Sequence, residues 1–297
     1  MTQRAPEHDV SSARGVIPHV DLRPQSVLLT FFGDYVSDAD RAVSSASVVD
    51  LLHAVGVGEP AARATLTRMV RRDLLRRDQV GRRAYFSLTP FGRRTVLDGR
   101  DRALGVDARD LDWDGLWTIV SFSLPEEAQR ERHELRAQLL WAGFGMVHAG
   151  LWVAPREVDV YTLLAGLDVR EHVQVFHGQP GSDGADLVRK AYDLASLASR
   201  YDAFLRRWRP VERRSAERLA DPLTTRVVLA TDWLQVIRDD PRLPTAFLDD
   251  RWPATRAVDL YRTLDERLRP RAEDAVRTRL DLVAITPSLP TDLERTP

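Results

Sequence analysis

Apolar residues recur every three or four positions from Leu22 to Val36, at Val27, Leu28, Phe31, Phe32 and Tyr35. That is the period of a helix with one buried face, and Pro24 suits its first turn. A second helix is expected from Ser47, whose hydroxyl would accept an amide hydrogen bond with Asp50 three positions on; Val48, Val49, Leu51, Leu52 and Val55 follow. Gly56 and Gly58 end it, and Glu59-Pro60 opens a third helix with Ala62, Leu66, Met69 and Val70 inward. Its other side presents Ala64, Thr67, Arg68 and Arg71, with Arg63 at the margin. The pattern then switches to two strands, Leu74 to Asp78 and Ala84 to Leu88, joined across Gln79-Val80-Gly81-Arg82-Arg83, and Thr89-Pro90 caps a further helix.

A second block begins with a strand from Trp117 to Leu124 and a helix from Pro125 to Ala142, with Leu135, Leu139 and Leu140 inward. Strands at Phe144 to His148 and Leu151 to Ala154 flank Ala149-Gly150; a helix at Val158 to Leu167 and a strand at Val173 to His177 complete it. The order βαββαβ is the ferredoxin-like arrangement. Gly178 to Gly184 reads as a flexible joint, and beyond it Ala185 to Arg207, Pro222 to Arg238 and Trp252 to Leu268 read as helices. The fold class is therefore α+β multidomain. Residues 1–20 are expected to be a disordered tail, 21–105 a winged helix-turn-helix, 106–180 a ferredoxin-like domain, 181–280 a helical C-terminal domain, and 281–297 a polar, proline-rich disordered tail.

Charge sharpens the first block. Ten arginines fall between Pro60 and Arg94, opposed there only by Asp73 and Asp78, in a chain of net charge -1 whose only lysine is Lys190. Cations concentrated at one surface suit a polyphosphate backbone; the plain alternative is a solvated face in an arginine-rich protein. The order of elements favours DNA, because a hairpin directly after the third helix is a wing. Arg63, Thr67, Arg68 and Arg71 would then meet the major groove, and Arg82 and Arg83 phosphates or the minor groove.

Other chemistry is thin. The chain has no cysteine, so disulfides and thiolate metal sites are excluded, and no apolar run reaches the roughly 20 residues of a membrane helix. The first twenty residues lack a secretory apolar core, so a cytoplasmic protein is expected. Asp112, Asp114 and His148 are candidate metal ligands by residue type, but the two aspartates bracket a Trp in an entry turn and a lone His beside a strand is ordinarily structural. No nucleophilic triad, phosphate loop or paired-histidine signature stands out, so neither enzyme activity nor a metal or cofactor is expected.

Specific wording supports the same reading. Ser26 to Thr30 (SVLLT), Gly33 to Val36 (GDYV), Arg63 to Arg68 (RATLTR), and Gly81 to Leu88 (GRRAYFSL) with Thr89 to Gly92 (TPFG) resemble the PaaX family of bacterial transcriptional repressors. Trp113 to Trp117 (WDGLW), Leu124-Pro125-Glu126, Trp141 to Gly145 (WAGFG) and Leu151 to Pro155 (LWVAP) look like its middle-domain signatures; Asp240 to Pro244 (DPRLP) with Trp252-Pro253 looks like its C-terminal one. The resemblance covers about 23 to 270. It implies a homodimeric repressor on an inverted-repeat operator of double-stranded DNA, released by an aryl-acetyl-CoA effector, most often phenylacetyl-CoA, and a middle domain related in fold to a small CRISPR adaptation protein. Trp152 or Trp233 would pack an aryl group, and Arg238 or Arg242 would meet an anionic tail, between the middle and C-terminal domains. The chain departs from the family at Thr231 to Gln235 (TDWLQ), where many members carry a His and a basic residue. Another acyl-CoA or an aromatic acid is therefore an alternative effector, and a ligand-independent architectural or replication-associated DNA binder an alternative function.

Overall fold

The structure, a computed structural model, describes residues 17–37, 41–105, 113–181, 183–214 and 221–285. They fall into two units. One holds the residues up to Arg100 with Arg207–Trp233 and those from Leu260; the other holds Asp101–Arg206 with Leu234–Asp259.

In the first unit, α1 (Pro24–Tyr35) starts on its proline and buries Val27, Leu28, Phe31 and Phe32. A short strand, β1 (Arg41–Ser44), precedes α2 (Ser45–Ala54), and this corrects the expected cap. Ser44 rather than Ser47 is the N-cap, its side chain accepting from the Ser47 N–H at 3.2 Å. Gly56, at φ 85°, supplies the left-handed turn into α3 (Glu59–Arg71). At the end of α3, Asp73 takes the left-handed position usually given to glycine (φ 56°), and the Leu74 N–H returns to the Met69 carbonyl at 3.0 Å. Strands β2 (Leu75–Val80) and β3 (Arg83–Leu88) run longer than expected and leave only Gly81 and Arg82 as the turn. Thr89 caps α4 (Pro90–Gly105) by accepting from the Gly92 N–H at 2.9 Å.

The sheet of this unit has the order β2-β3-β1-β8, in which β8 is Leu282–Ala284. The segment from 281 was expected to be a disordered tail; Leu282–Ala284 instead pairs antiparallel with β1, Val43 opposite Leu282 and Arg41 opposite Ala284. The reason is the free edge of β1, whose unpaired amides and carbonyls need a partner. Helices from the far end of the chain complete the core. Leu223 and Val227 of α9 (Pro222–Ile237) and Ala272, Ala275 and Val276 of α10 (Pro253–Arg279) are buried in one cluster with Leu28, Phe32, Leu52, Leu66 and Phe86.

The second unit contains β4 (Trp117–Phe122), α5 (Gln129–Trp141), β5 (Gly145–His148), β6 (Leu151–Ala154), α6 (Val160–Leu163) and β7 (Val173–Gly178). Its sheet has the order β5-β6-β4-β7 with every neighbouring pair antiparallel. Alternation along β4 and β6 sends Val120, Phe122 and Trp152 to one face, against Leu135 and Leu139 of α5. Trp117 and Val153 go to the other, against Val188 and Leu243. Leu140, expected inward, is exposed, because it lies about 100° around the helix from the Leu135–Leu139 stripe.

The joint expected at Gly178 to Gly184 does not separate two bodies. Gly178 ends β7, Gly184 begins α7 (Gly184–Ala191), and both belong to the second unit. The single helix expected over 185–207 breaks after α7: Tyr192 is extended, and Asp193 caps α8 (Leu194–Glu212) by accepting from the Ser196 N–H at 2.9 Å. The Tyr192 hydroxyl donates to the Gly143 and Val153 carbonyls at 3.1 and 2.8 Å. The expected C-terminal helical domain is thus divided between the two units.

Candidate nucleic-acid interface

The outer face of α3 is built by its own period. Ala62, Thr65, Leu66 and Met69 are buried, while Arg63, Ala64, Thr67, Arg68 and Arg71 are exposed. Three of these side chains are already oriented. Arg63 pairs with Glu59 one turn earlier at 2.7 Å. Arg68 donates to the Thr65 hydroxyl at 3.0 Å through one of its guanidinium nitrogens. The Thr67 hydroxyl donates to the Arg63 carbonyl at 3.0 Å. Arg72, just past α3, reaches back to Gln25 at 3.3 Å.

The hairpin carries the second cluster. Gly81 at φ 61° permits the two-residue turn and brings Arg82 to its tip. Among the described residues, Arg71, Arg77, Arg82 and Arg94 form no ion pair, whereas Arg76 is bound to Asp78 at 2.9 Å. Arg83 differs from Arg82. Its Nη1 lies 3.0 Å from the Asp281 carboxylate, and the Tyr85 hydroxyl donates to the same carboxylate at 3.1 Å. These partners, Asp281 first, raise the Arg83 pKa. Asp281 is 198 residues away and carries no sequence signal tying it to the hairpin, so pattern reading missed it.

The residues expected to meet a ligand fall in both units. Trp152 is 2% exposed within the second unit's core, and Trp233, in the first unit, is 1% exposed and stacks on Tyr261 at 4.9 Å. Neither offers surface to a ligand in this conformation. Arg238 and Arg242 are exposed residues of the second unit; Arg238 lies 3.6 Å from Asp239, and Arg242 has a left-handed backbone, φ 57°. At the segment that departs from the family pattern, Asp232 is a buried anchor. Arg207 grips it with two hydrogen bonds of 2.8 and 3.0 Å, and the Trp208 indole donates to it at 2.8 Å.

Among the described residues no group of three His, Cys, Asp or Glu side chains could hold a metal ion, and no helix is long and apolar enough to cross a membrane. Asp112 lies outside the described residues. Asp114 instead accepts from the Leu116 N–H at 2.8 Å, and His148 contacts the Ala149 carbonyl at 3.2 Å.

Comparison with known proteins matches all three parts of the chain. Profiles described as PaaX-like protein, PaaX protein central Cas2-like domain and PaaX-like protein C-terminal domain match residues 23–92, 110–188 and 192–278. A protein named transcriptional repressor PaaX, from Escherichia coli (strain K12), is 28% identical over 261 residues, covering 83% of this chain and 81% of its own length. Among solved structures, uncharacterized protein Rv0674 from Mycobacterium tuberculosis aligns with a TM-score of 0.57 at 20% identity, covering 84% of this chain and 97% of its own.

Proposed function

The chain belongs to the PaaX family, and from that premise we propose that it is a DNA-binding transcriptional repressor whose α3 reads an operator while the β2–β3 hairpin grips the backbone. The observation that carries this is the exposed arginine and threonine face of α3, followed in the chain by a two-residue hairpin turn with Arg82 at its tip. In this reading α1, α2, α3 and the hairpin form a winged helix-turn-helix. Arg68 and Arg63 meet guanine edges, Thr67 and Arg71 support them, and Arg82 faces phosphates, with Arg83 beside it held by Asp281. The second unit's strand order supports a ferredoxin-like domain. The relative's name supports repression as the outcome of binding. No catalytic step belongs to this reading.

One helix and one wing cover too little DNA for operator-level specificity, so the protein acts as a homodimer on an inverted repeat. Release by an aryl-acetyl-CoA such as phenylacetyl-CoA is the family-based expectation, with another acyl-CoA or an aromatic acid as alternative. Arg238 and Arg242 are the side chains proposed to meet its phosphates or carboxylate. Release requires that the ligand bind the DNA-incompetent state more tightly, and a hundredfold preference corresponds to about 2.7 kcal/mol.

Selection of duplexes from a random pool by the purified protein tests the reading. An enriched inverted repeat is expected, bound by a species that sediments as a dimer; uniform binding with no enriched sequence would favour a ligand-independent architectural role. A mobility-shift panel of free acids and their CoA esters on the selected duplex then tests induction, and no release by any of them at millimolar concentration would remove the effector.

A further inference from the structure

Asp281 is held more firmly than an exposed carboxylate needs to be. Its N–H donates to the Ser47 hydroxyl at 3.1 Å, and its carbonyl accepts from the Ser44 N–H at 2.9 Å, so its backbone is fixed to the β1–α2 junction at the start of β8. From there its carboxylate reaches Arg83 and Tyr85, which lie two positions apart on β3 and so share one face. The fixed backbone sets where the carboxylate starts, beside Arg83 and Tyr85. An exposed ion pair of this kind contributes little to stability, about 0–1 kcal/mol, so anchoring β8 does not by itself account for it. Its larger consequence is electrostatic: one of the two cations at the hairpin turn is neutralised by an anion from the opposite end of the chain, while Arg82 beside it has no ion pair among the described residues.

We infer that Asp281 sets the affinity for DNA by masking Arg83: the carboxylate sits where a phosphate oxygen would, so Arg82 makes the hairpin's phosphate contact and Arg83 adds no net charge. This rests on the DNA-binding reading above. It predicts that DNA affinity lies below what the hairpin's arginines would supply, and that the masking group lies outside the residues that touch DNA.

The full-length protein, its Asp281→Asn and Arg83→Ala variants and the double variant are titrated by fluorescence anisotropy onto a labelled duplex of arbitrary sequence at several salt concentrations. The masked arginine predicts that Arg83→Ala alone leaves the log-log salt slope almost unchanged. Asp281→Asn should steepen it by about 0.9, one added phosphate contact, and tighten binding about eightfold at 0.1 M salt. The double variant should lose that gain, and thermal melts check that all four proteins are folded. A gain that persists without Arg83 would reflect the removed negative charge alone and overturns the inference, as does an Asp281→Asn protein no tighter than the parent. An Arg83→Ala variant that by itself loses a full contact also overturns it, and this holds even if Asp281→Asn fails to fold. Absence of any binding by the unsubstituted protein at low salt would instead sink the DNA-binding reading, and the inference with it.

Discussion

The guanidinium of Arg226, on α9, lies 2.9 Å from the carboxylate of Asp34, on α1, across 192 residues of sequence. It is 5% exposed, donates to the Tyr35 hydroxyl at 2.6 Å, and makes an ionic contact of 2.8 Å with Asp265 of α10. Burial opposes its charge, and the carboxylates of Asp34 and Asp265 with the Tyr35 hydroxyl outweigh that, so its pKa is raised. One side chain therefore ties the first helix of the candidate DNA-binding segment to two C-terminal helices within the same unit.

Removing it takes a buried cation away from the Asp34 and Asp265 carboxylates. Breaking a buried pair by deleting one partner costs about 3–5 kcal/mol, so Arg226→Ala is expected to lower unfolding free energy in urea by about 3 kcal/mol. Asp34→Asn in that background should cost little more, and a fully additive double variant would show that the two groups do not interact.

Recognition and positioning separate by variant. Arg68→Ala should weaken binding to a selected operator by about 1–3 kcal/mol while leaving non-specific affinity nearly unchanged. Arg82→Ala should weaken binding to all sequences and reduce the salt slope by about 0.9. Equal, sequence-independent losses for both would show that α3 does not read bases.

Local pattern made much of this legible and long-range pairing did not. The periods of α1 and α3, the hairpin, and the four strands of the second unit follow from apolar spacing, because each buries a face whose residues are neighbours in sequence. β1 has three buried residues of four and no alternation, and β8 has only three residues, so neither carries a strand signal. The last helix was expected to end at Leu268, but α10 continues through Pro270 to Arg279. At the candidate site, the exposed arginines of α3 were readable; the ion pair that binds Arg83 was not, since its partner enters through the β1–β8 ladder.

Gly92 shows a close approach that sequence also left unmarked. A Cβ there would lie 2.0 Å from the Leu74 carbonyl oxygen, which is backbone and cannot turn aside. Gly92→Ala should cost about 1–3 kcal/mol or more. Gly99 on the same helix has nothing within 4 Å of its Cβ position, so Gly99→Ala should stabilise by up to about 1 kcal/mol. Thermal melts with opposite signs are the expected result.

Alkaline pH provides a separate handle on the cores. Burial pushes Tyr35 up from 10.0 to about 12, despite the opposing effect of Arg226, and burial also raises Tyr192 and Tyr261. A group whose folded pKa exceeds its unfolded value stabilises the fold fully below the unfolded value and loses that contribution as pH rises through the folded one. Stability should thus fall from about pH 10 to 12, with tyrosinate absorbance from these three appearing only as the protein unfolds. Early, non-cooperative ionisation of these three tyrosines would contradict their burial.

The strongest consequence of the fold is that residues 21–105 do not hold a whole core. Leu223, Val227, Ala272, Ala275 and Val276 lie in the cluster that contains Phe32, Val36 and Leu52, and β8 covers the edge of β1. Fully burying a Leu or Val side chain contributes about 1.5–3 kcal/mol, and two such residues come from α9 alone. Cutting after Gly105 also strands the buried side of α1 and leaves Asp34 without Arg226. Since domain stabilities are only about 5–15 kcal/mol, a fragment ending at Gly105 should show broad amide resonances and no cooperative melt, although it keeps every arginine proposed to touch DNA. Adding a second fragment that begins at Asp221 should restore a cooperative transition if the shared core is the cause. A fragment that melts sharply and binds a selected operator as tightly as the full chain would show instead that the C-terminal helices are dispensable to the DNA-binding unit.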